Sequence, residues 1–397
     1  MTAPPKVRSG LDVLAAQRFA PLAGKAIGLV THPAAVDAQL RHAIDLFSSA
    51  PKVRLAAIFG PEHGLDGQAQ DLISVNSGEA KLQGLEIHSL YGETESSLHP
   101  NAEHLRGLDA LVIDMQDICS RYYTFQATML YCLQAALPLG MQVLVLDRPN
   151  PLGGLTVEGP AVRKGFESFV SVHNLATRHG LTMGELALLY EKELGLDRGE
   201  LRIIPCEGWK RGDCFDATGL PWVLPSPNMP TLDTAVVYPG QCLLEGTNLS
   251  EGRGTTRPFE ICGAPWIDAA KLAQHMNAQK LPGVHFRPVW FRPTFQKHAG
   301  KDCGGVQLHV TSRSDFQPVR SSLALLAAFI EMSGKHFAWR TEIYEFVRDP
   351  IAIDLLFGSA RERTLLDAGS PWRNALPQWE KEEEAFRHRR HQILLYD

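Results

Sequence analysis

Four short apolar runs, each ending in a polar motif, constrain this chain more than any other feature. They occupy residues 26–30, 53–59, 108–114 and 142–147. Continuous runs rich in Val, Ile and Leu suit strands buried on both faces, as in a parallel sheet covered by helices. Residues 85–91 alternate more and are expected at a sheet edge, while residues 40–50 and 124–139 carry helical patterns. The repeating unit is therefore βαβ. The fold class is α/β, with a Rossmann-like, mostly parallel sheet.

The polar motifs all fall just after the runs. They are Thr31-His32-Pro33, Gly60-Pro61-Glu62-His63-Gly64, Asp114-Met115-Gln116-Asp117 and Asp147-Arg148-Pro149-Asn150-Pro151. Open α/β sheets bind ligands outside the carboxyl ends of their strands, so these clusters are expected to converge on one crevice. Turn chemistry alone explains Pro, Gly, Asn and Asp at such places, but it does not demand Glu, His, Gln or Arg.

Further on, Thr182-Met183-Gly184-Glu185 forms a capping box for a helix through Leu194, with Gly195 beyond its end and Arg178-His179-Gly180 at its entrance. The proline-rich residues 221–230 have no period and mark a boundary near residue 235. Residues 1–234 are read as the catalytic domain, and residues 235–397 as a smaller C-terminal α/β domain completing the cleft. That second part holds a helix capped by Asp268, strand-like residues 284–291 and 306–310, and a helix over 318–332. Its charged tail, 380–390, reads as a solvated helix.

Composition narrows the function. With 39 Lys+Arg against 44 Asp+Glu and no long basic run, the chain is not built as a dedicated nucleic-acid or anionic-membrane binder. Seven cysteines stand singly, a pattern that suits a reducing compartment. No leader and no membrane span is visible, so the sequence as written is read as cytoplasmic, or periplasmic or secreted if a leader has been removed. Phosphate-loop, dinucleotide, metalloprotease and nucleophile-elbow signatures are missing, and the Gly-rich residues 251–256 lack a strand-to-helix context. No cofactor and no metal is expected.

What remains is carboxylate, amide, Arg, His and Tyr at strand ends, a set suited to general acid/base work on a polyol. Glu62 leads, because Pro61 and Gly64 pin a turn that exposes it, and a carboxyl shielded from water can serve as an acid near neutrality. His63 either joins it or satisfies loop amides. Asp117, Arg121, Tyr122 and Tyr123 follow the third run, with an Arg121–Asp117 salt bridge as the structural alternative. Asp114 is expected to accept from turn amides. His32, Asp147 and Arg148 stand at two other strand ends. Asn150, Asn228 and Asn248 either bind hydroxyls or fix their own loops, and His179 either binds ligand or serves the helix entrance.

Taken together, these motifs resemble the NamZ family, exo-β-N-acetylmuramidases of bacterial cell-wall recycling (glycoside hydrolase family 171, formerly a domain of unknown function). The matching segments include Phe59-Gly60-Pro61-Glu62-His63-Gly64, Ser89-Leu90-Tyr91-Gly92, Asp114-Met115-Gln116-Asp117, Arg121-Tyr122-Tyr123-Thr124 and Leu146-Asp147-Arg148-Pro149-Asn150-Pro151. Further on come Arg178-His179-Gly180-Leu181-Thr182, Pro225-Ser226-Pro227-Asn228-Met229-Pro230, and the run from Glu245-Gly246-Thr247-Asn248 to Glu251-Gly252-Arg253-Gly254-Thr255. The resemblance implies release of N-acetylmuramic acid from the non-reducing end of peptidoglycan fragments. It implies a Rossmann-like domain joined to a smaller one, with the site between them. Its catalytic glutamate falls on Glu62, and the Asp117 and Arg121 segment would line the sugar site. Asp117, or the substrate's own acetamido group, would take the second catalytic role, and Arg121, Arg178 or Arg253 would meet the lactyl carboxylate. Two rivals stand beside this reading: a non-catalytic muropeptide-sugar binder, and a metal-dependent hydrolase using His63, Asp117 and His179.

Overall fold

The computed structural model describes residues 6–65, 67, 81–82, 85–196 and 199–397. The first sheet contains β1 (Ala26–Thr31), β2 (Arg54–Gly60), β3 (Lys81–Leu82), β4 (Leu85–Ser89), β5 (Ala110–Asp114), β6 (Gln142–Leu146) and β7 (Glu200–Ile204). Its spatial order is β3-β4-β2-β1-β5-β6-β7. Every neighbouring pair is parallel except β3 with β4. Strands β1, β5 and β6 are buried along their whole length, as their unbroken apolar runs require. The chain runs outward from β1 to β2 and β4, then returns to place β5 on the other side of β1. That reversal makes the β1/β5 boundary the topological switch point.

The second sheet is smaller and antiparallel, with β8 (Ile261–Ala264), β9 (Val284–Phe291) and β10 (Cys303–Val310) in the order β8-β10-β9. The helix Ala269–Ala278 starts where expected, with Asp268 accepting from Ala270 and Lys271 N–H groups. The longer helix Pro318–Ser333 also packs in this part. A single hydrophobic cluster runs from Phe59 and Ile113 in the first part to Phe259, Phe329 and Trp379 in the second, so the two parts share a core.

Three strands had no clear sequence signal. Strand β3 is two residues long and lies outside β4, so β4 is not the edge strand the alternation suggested. Strand β7 is half exposed, and β8 is only four residues long and contains a glycine. The charged tail also departs from expectation. Helix Leu376–Arg390 buries Trp379, Glu383, Phe386 and Arg390 instead of standing wholly in solvent. Arg390 reaches the first part, donating to the carbonyls of Gly154, His179 and Gly180 at 2.8, 3.0 and 2.9 Å. Just beyond it, the Tyr396 hydroxyl donates to Asp147 Oδ2 at 2.5 Å.

Candidate active site

Glu62 stands two residues beyond β2. The Gly64 N–H closes a tight turn onto the Pro61 carbonyl at 3.0 Å, with His63 and Gly64 both in the left-handed region at φ 72° and 76°. This turn sets Glu62 against the loop following β5, where Thr124 immediately precedes helix Phe125–Ala136. The Thr124 hydroxyl donates to Glu62 Oε2 at 2.5 Å. The carboxyl is 6 % exposed and borders a cavity between the two parts of the chain.

The first part supplies Glu62, His63 and residues 122–125 to this cavity, and the loop before the second part supplies Ser226 and Asn228. The opposite wall belongs to the second part: Tyr238, Glu245, Arg253, Phe259, Tyr344 and Glu345. Arg253 lies over the Phe259 ring, 4.8 Å from its centroid, and pairs with Glu245 at 2.8 Å and Glu251 at 3.2 Å. The Tyr344 hydroxyl donates to the other oxygen of Glu245 at 2.7 Å. Burial opposes ionisation of Glu251, but Lys297 at 2.9 Å and then Arg253 overcome it and hold the carboxyl down to about 2. The Arg253 charge is thus offset by two carboxylates, one of them facing the cavity.

Among the residues singled out from sequence, Glu62, His63, Tyr122, Tyr123, Asn228 and Arg253 meet at this cavity. The others lie elsewhere, each with a physical reason. His32 fills the switch point: its Nε2 accepts from the Gln116 N–H at 2.8 Å, and its Nδ1 lies 3.3 Å from the Pro225 carbonyl. Burial, with Arg148 nearby, pushes its pKa down to about 3, so the ring is neutral. Asp117 is buried and does not line the cavity; burial raises its carboxyl to about 7, although Cys119 N–H donates to Oδ2 at 2.7 Å. His179 Nε2 stands 4.0 Å from that carboxyl, while its Nδ1 accepts from Leu181 N–H at 3.1 Å. Burial, then Arg390, pushes the ring to about 3.

The remaining polar residues hold loops together. Arg121 is fully buried and donates to the carbonyls of Pro160, Leu175 and Leu356, at 2.5, 2.8 and 2.7 Å, so the alternative Arg121–Asp117 bridge does not form. Arg178 donates to the Leu152 carbonyl at 2.7 Å. Asn150 links Leu181 and Leu152, and Asn248 links His336 and Ala338. Asp114 does not serve turn amides as expected; it forms a two-pronged pair with Arg148 at 2.6 and 3.0 Å. Asp147 accepts from Thr182 Oγ1 and the Gly184 N–H at 2.7 and 2.8 Å, anchoring helix Met183–Leu194. A Cβ at Gly184 would fall 2.8 Å from the Asp147 carboxyl, so only glycine permits that approach.

Sequence reasoning did not single out Glu245, Tyr238, Tyr344 or Glu345. Glu245 heads a motif segment already noticed, but Tyr344 and Glu345 lie in a stretch with no period. The trio of the metal-hydrolase alternative is split, with His63 at the cavity and Asp117 and His179 buried off its wall. Among the described residues, no three His, Cys, Asp or Glu side chains are grouped to hold a metal. Among the same residues, no helix is long and apolar enough to cross a membrane. All seven cysteines are free thiols.

A mostly parallel α/β sheet, a small antiparallel sheet and a carboxyl-lined cavity between them define a two-part α/β protein with its candidate site in the cleft. Residues 27–233 match the family model for the N-terminal part of exo-beta-N-acetylmuramidase NamZ, and residues 236–396 match the model for its C-terminal part. The chain belongs to the NamZ family. It is 42 % identical over 392 residues to the peptidoglycan beta-N-acetylmuramidase NamZ of Bacillus subtilis (strain 168), covering 99 % of this chain and 92 % of the relative. Two crystal structures of DUF1343 family proteins from Bacteroides fragilis NCTC 9343 share the fold. One has a TM-score of 0.88 at 34 % identity, covering 99 % of each chain. The other has a TM-score of 0.76 at 26 % identity, covering 98 % of this chain and 99 % of its own.

Proposed function

We propose that this protein is an exo-acting glycosidase that releases N-acetylmuramic acid from the non-reducing end of peptidoglycan fragments, with Glu62 as the general acid. The kinship with a peptidoglycan beta-N-acetylmuramidase supports the substrate class. The observation that carries the mechanism is Glu62 on the cavity wall, fixed by Thr124 and faced by the charged wall of the second domain. A proton delivered to the glycosidic oxygen lets the C1–O bond break through an oxocarbenium-like transition state.

In this reading Arg253 would meet the lactyl carboxylate of a muramoyl sugar, exchanging part of its pairing with Glu245 and Glu251 for the substrate's charge. It is the arginine lining the cavity among the described residues, and stacking on Phe259 fixes its plane. Asn228 and Tyr123 offer polar groups to sugar hydroxyls. Residues 1–234 would form the catalytic domain, and residues 235–397 the domain that closes the cleft. The test is release of chromophore from an aryl β-N-acetylmuraminide beside the N-acetylglucosamine analogue, for wild type and Glu62→Gln. Turnover of the muramoyl glycoside alone, lost in a folded variant, is the expected result. Tight sugar binding without turnover would replace the enzyme with a sugar-binding protein.

A further inference from the structure

The wall supplied by the second domain carries a turn of unusual backbone. Tyr344 and Val347 exchange two backbone hydrogen bonds, at 2.9 and 3.0 Å, and the residues between them, Glu345 and Phe346, have φ of 46° and 69°. A two-residue hairpin with both central residues left-handed is the setting usually filled by Asn-Gly. For residues with a Cβ, that conformation is strained, because the Cβ crowds the following carbonyl oxygen. A glycine turn would remove the strain, but it would present no side chains.

Here both side chains are used, and by the same partner. The Phe346 ring meets Tyr91 edge-on with centroids 5.8 Å apart, and the Tyr91 hydroxyl donates to Glu345 Oε2 at 2.9 Å. Tyr91 follows β4 in the first domain, so the strained turn is clamped from across the cleft. Tyr91 is itself packed against Phe169, with centroids 5.8 Å apart. Strain of this kind persists only where the surroundings over-determine it, and it gathers where the direction of a side chain matters.

Glu345 is 6 % exposed and lines the same cavity as Glu62, on the wall contributed by the other domain. The third carboxyl of the cavity, Glu245, is committed to Arg253 and to Tyr344. Asp117, the second carboxyl the sequence suggested, is not on the cavity wall. We infer that Glu345 is the catalytic base that works with Glu62, and that Tyr91 is its positioning residue. This rests on the glycosidase reading above.

The step balances as a single displacement. A water molecule gives one proton to Glu345 while its oxygen bonds to the anomeric carbon. The C1–O bond breaks, and the departing oxygen takes the proton of Glu62. The products are the free sugar and the alcohol, with Glu345 protonated and Glu62 ionised; exchange with solvent resets both. A single displacement inverts the anomeric centre.

The experiment measures kcat, KM and thermal unfolding on the aryl β-N-acetylmuraminide for wild type, Glu345→Gln and Tyr91→Phe, with NMR detection of the first anomer released. Loss of a positioned base typically costs about 10²–10⁴-fold, so Glu345→Gln should lose kcat on that scale with KM little changed. Tyr91→Phe keeps the ring contacts, so it tests the hydroxyl even if the glutamine variant folds poorly. It should lower kcat about tenfold and displace the pH–rate profile, on the scale of one hydrogen bond to a charged group. The first product should be the α anomer. A retained β anomer, an effect of Glu345→Gln confined to KM, or a Tyr91→Phe variant with wild-type kcat and pH profile would each overturn the assignment. Wild type inactive on the muramoyl glycoside would instead defeat the glycosidase reading.

Discussion

Asp117 and Glu62 both follow a buried parallel strand of the same sheet, yet their surroundings diverge. Glu62 reaches the cavity, where Thr124 holds one oxygen. Asp117 turns into a dry layer with His179 and Arg121, where polar groups satisfy loop backbone and one another. Polar residues at strand ends therefore divide into a chemical layer and a structural layer. The loop after each strand decides which: a left-handed turn at His63 and Gly64 sets Glu62 at the cavity, whereas the β5 loop turns its own Cys119 N–H onto the Asp117 carboxyl. Substitutions in the first layer should cost turnover, and those in the second should cost stability.

The sharpest break is Glu62→Gln, which should lower kcat by about 10³-fold while melting within a degree or two of wild type, since general acids contribute on that scale. A variant with half the wild-type activity would move Glu62 into the structural layer. Next is Arg121→Met, which orphans carbonyls held by a buried guanidinium. At about 1–3 kcal/mol per unsatisfied buried group, a loss of roughly 3 kcal/mol or more is expected. Denaturant unfolding would read it, and the folded fraction should keep its KM. A large rise in KM with intact stability would return Arg121 to the sugar site.

A smaller effect is expected for Thr124→Val, which removes the hydroxyl from Glu62 without changing side-chain shape. About a tenfold fall in kcat/KM follows from the loss of one hydrogen bond to a charged group. The same assay measures it, and an unchanged kcat/KM would show that the turn alone positions Glu62.

The mildest test uses pH. Burial raises Asp117 to about 7 from an ordinary 3.8, so the folded chain keeps a proton that the unfolded chain has already lost. Wild-type stability therefore falls as pH rises through that window, and the loss is complete above about 7. Asn at this position has no charge to bury. The melting temperature of Asp117→Asn should gain on wild type between pH 5 and 8, then hold level. A difference independent of pH would show Asp117 to be solvated and open to substrate. His32 and His179 act in the opposite direction in both proteins, since each is held at about 3 and destabilises the fold as pH falls from 6.5.

The sheet was legible because its central strands are buried on both faces, which forces continuous apolar runs such as 110–114 and 142–146. Strand β7 was not, because half its side chains face water. The helix after Thr182 announced itself through a capping box whose two bonds both form. In the site, Glu62 stood out because a proline and a glycine fix its turn. Glu345 gave no such signal: Glu-Phe is not a turn dipeptide, and the conformation is imposed by Tyr91, 254 positions away along the chain. Residue type likewise could not separate Arg253, which faces the cavity, from Arg121 and Arg178, which end on carbonyls. Where an arginine's fork is spent depends on which carbonyls the fold brings near.

The return of the chain to its starting half has a consequence for synthesis. Asp147 is complete only when the Tyr396 hydroxyl reaches it, and the carbonyls at 154, 179 and 180 wait for Arg390. A ribosome that has released the whole parallel sheet has therefore not yet made the groups that lock its last loops. Folding can begin from the amino end as the chain emerges, but the loops around 147, 154 and 179–180 lack these partners until residues 390–396 have been translated. The nascent first half would stay soft, and open to chaperones and proteases, for most of the time taken to build the second.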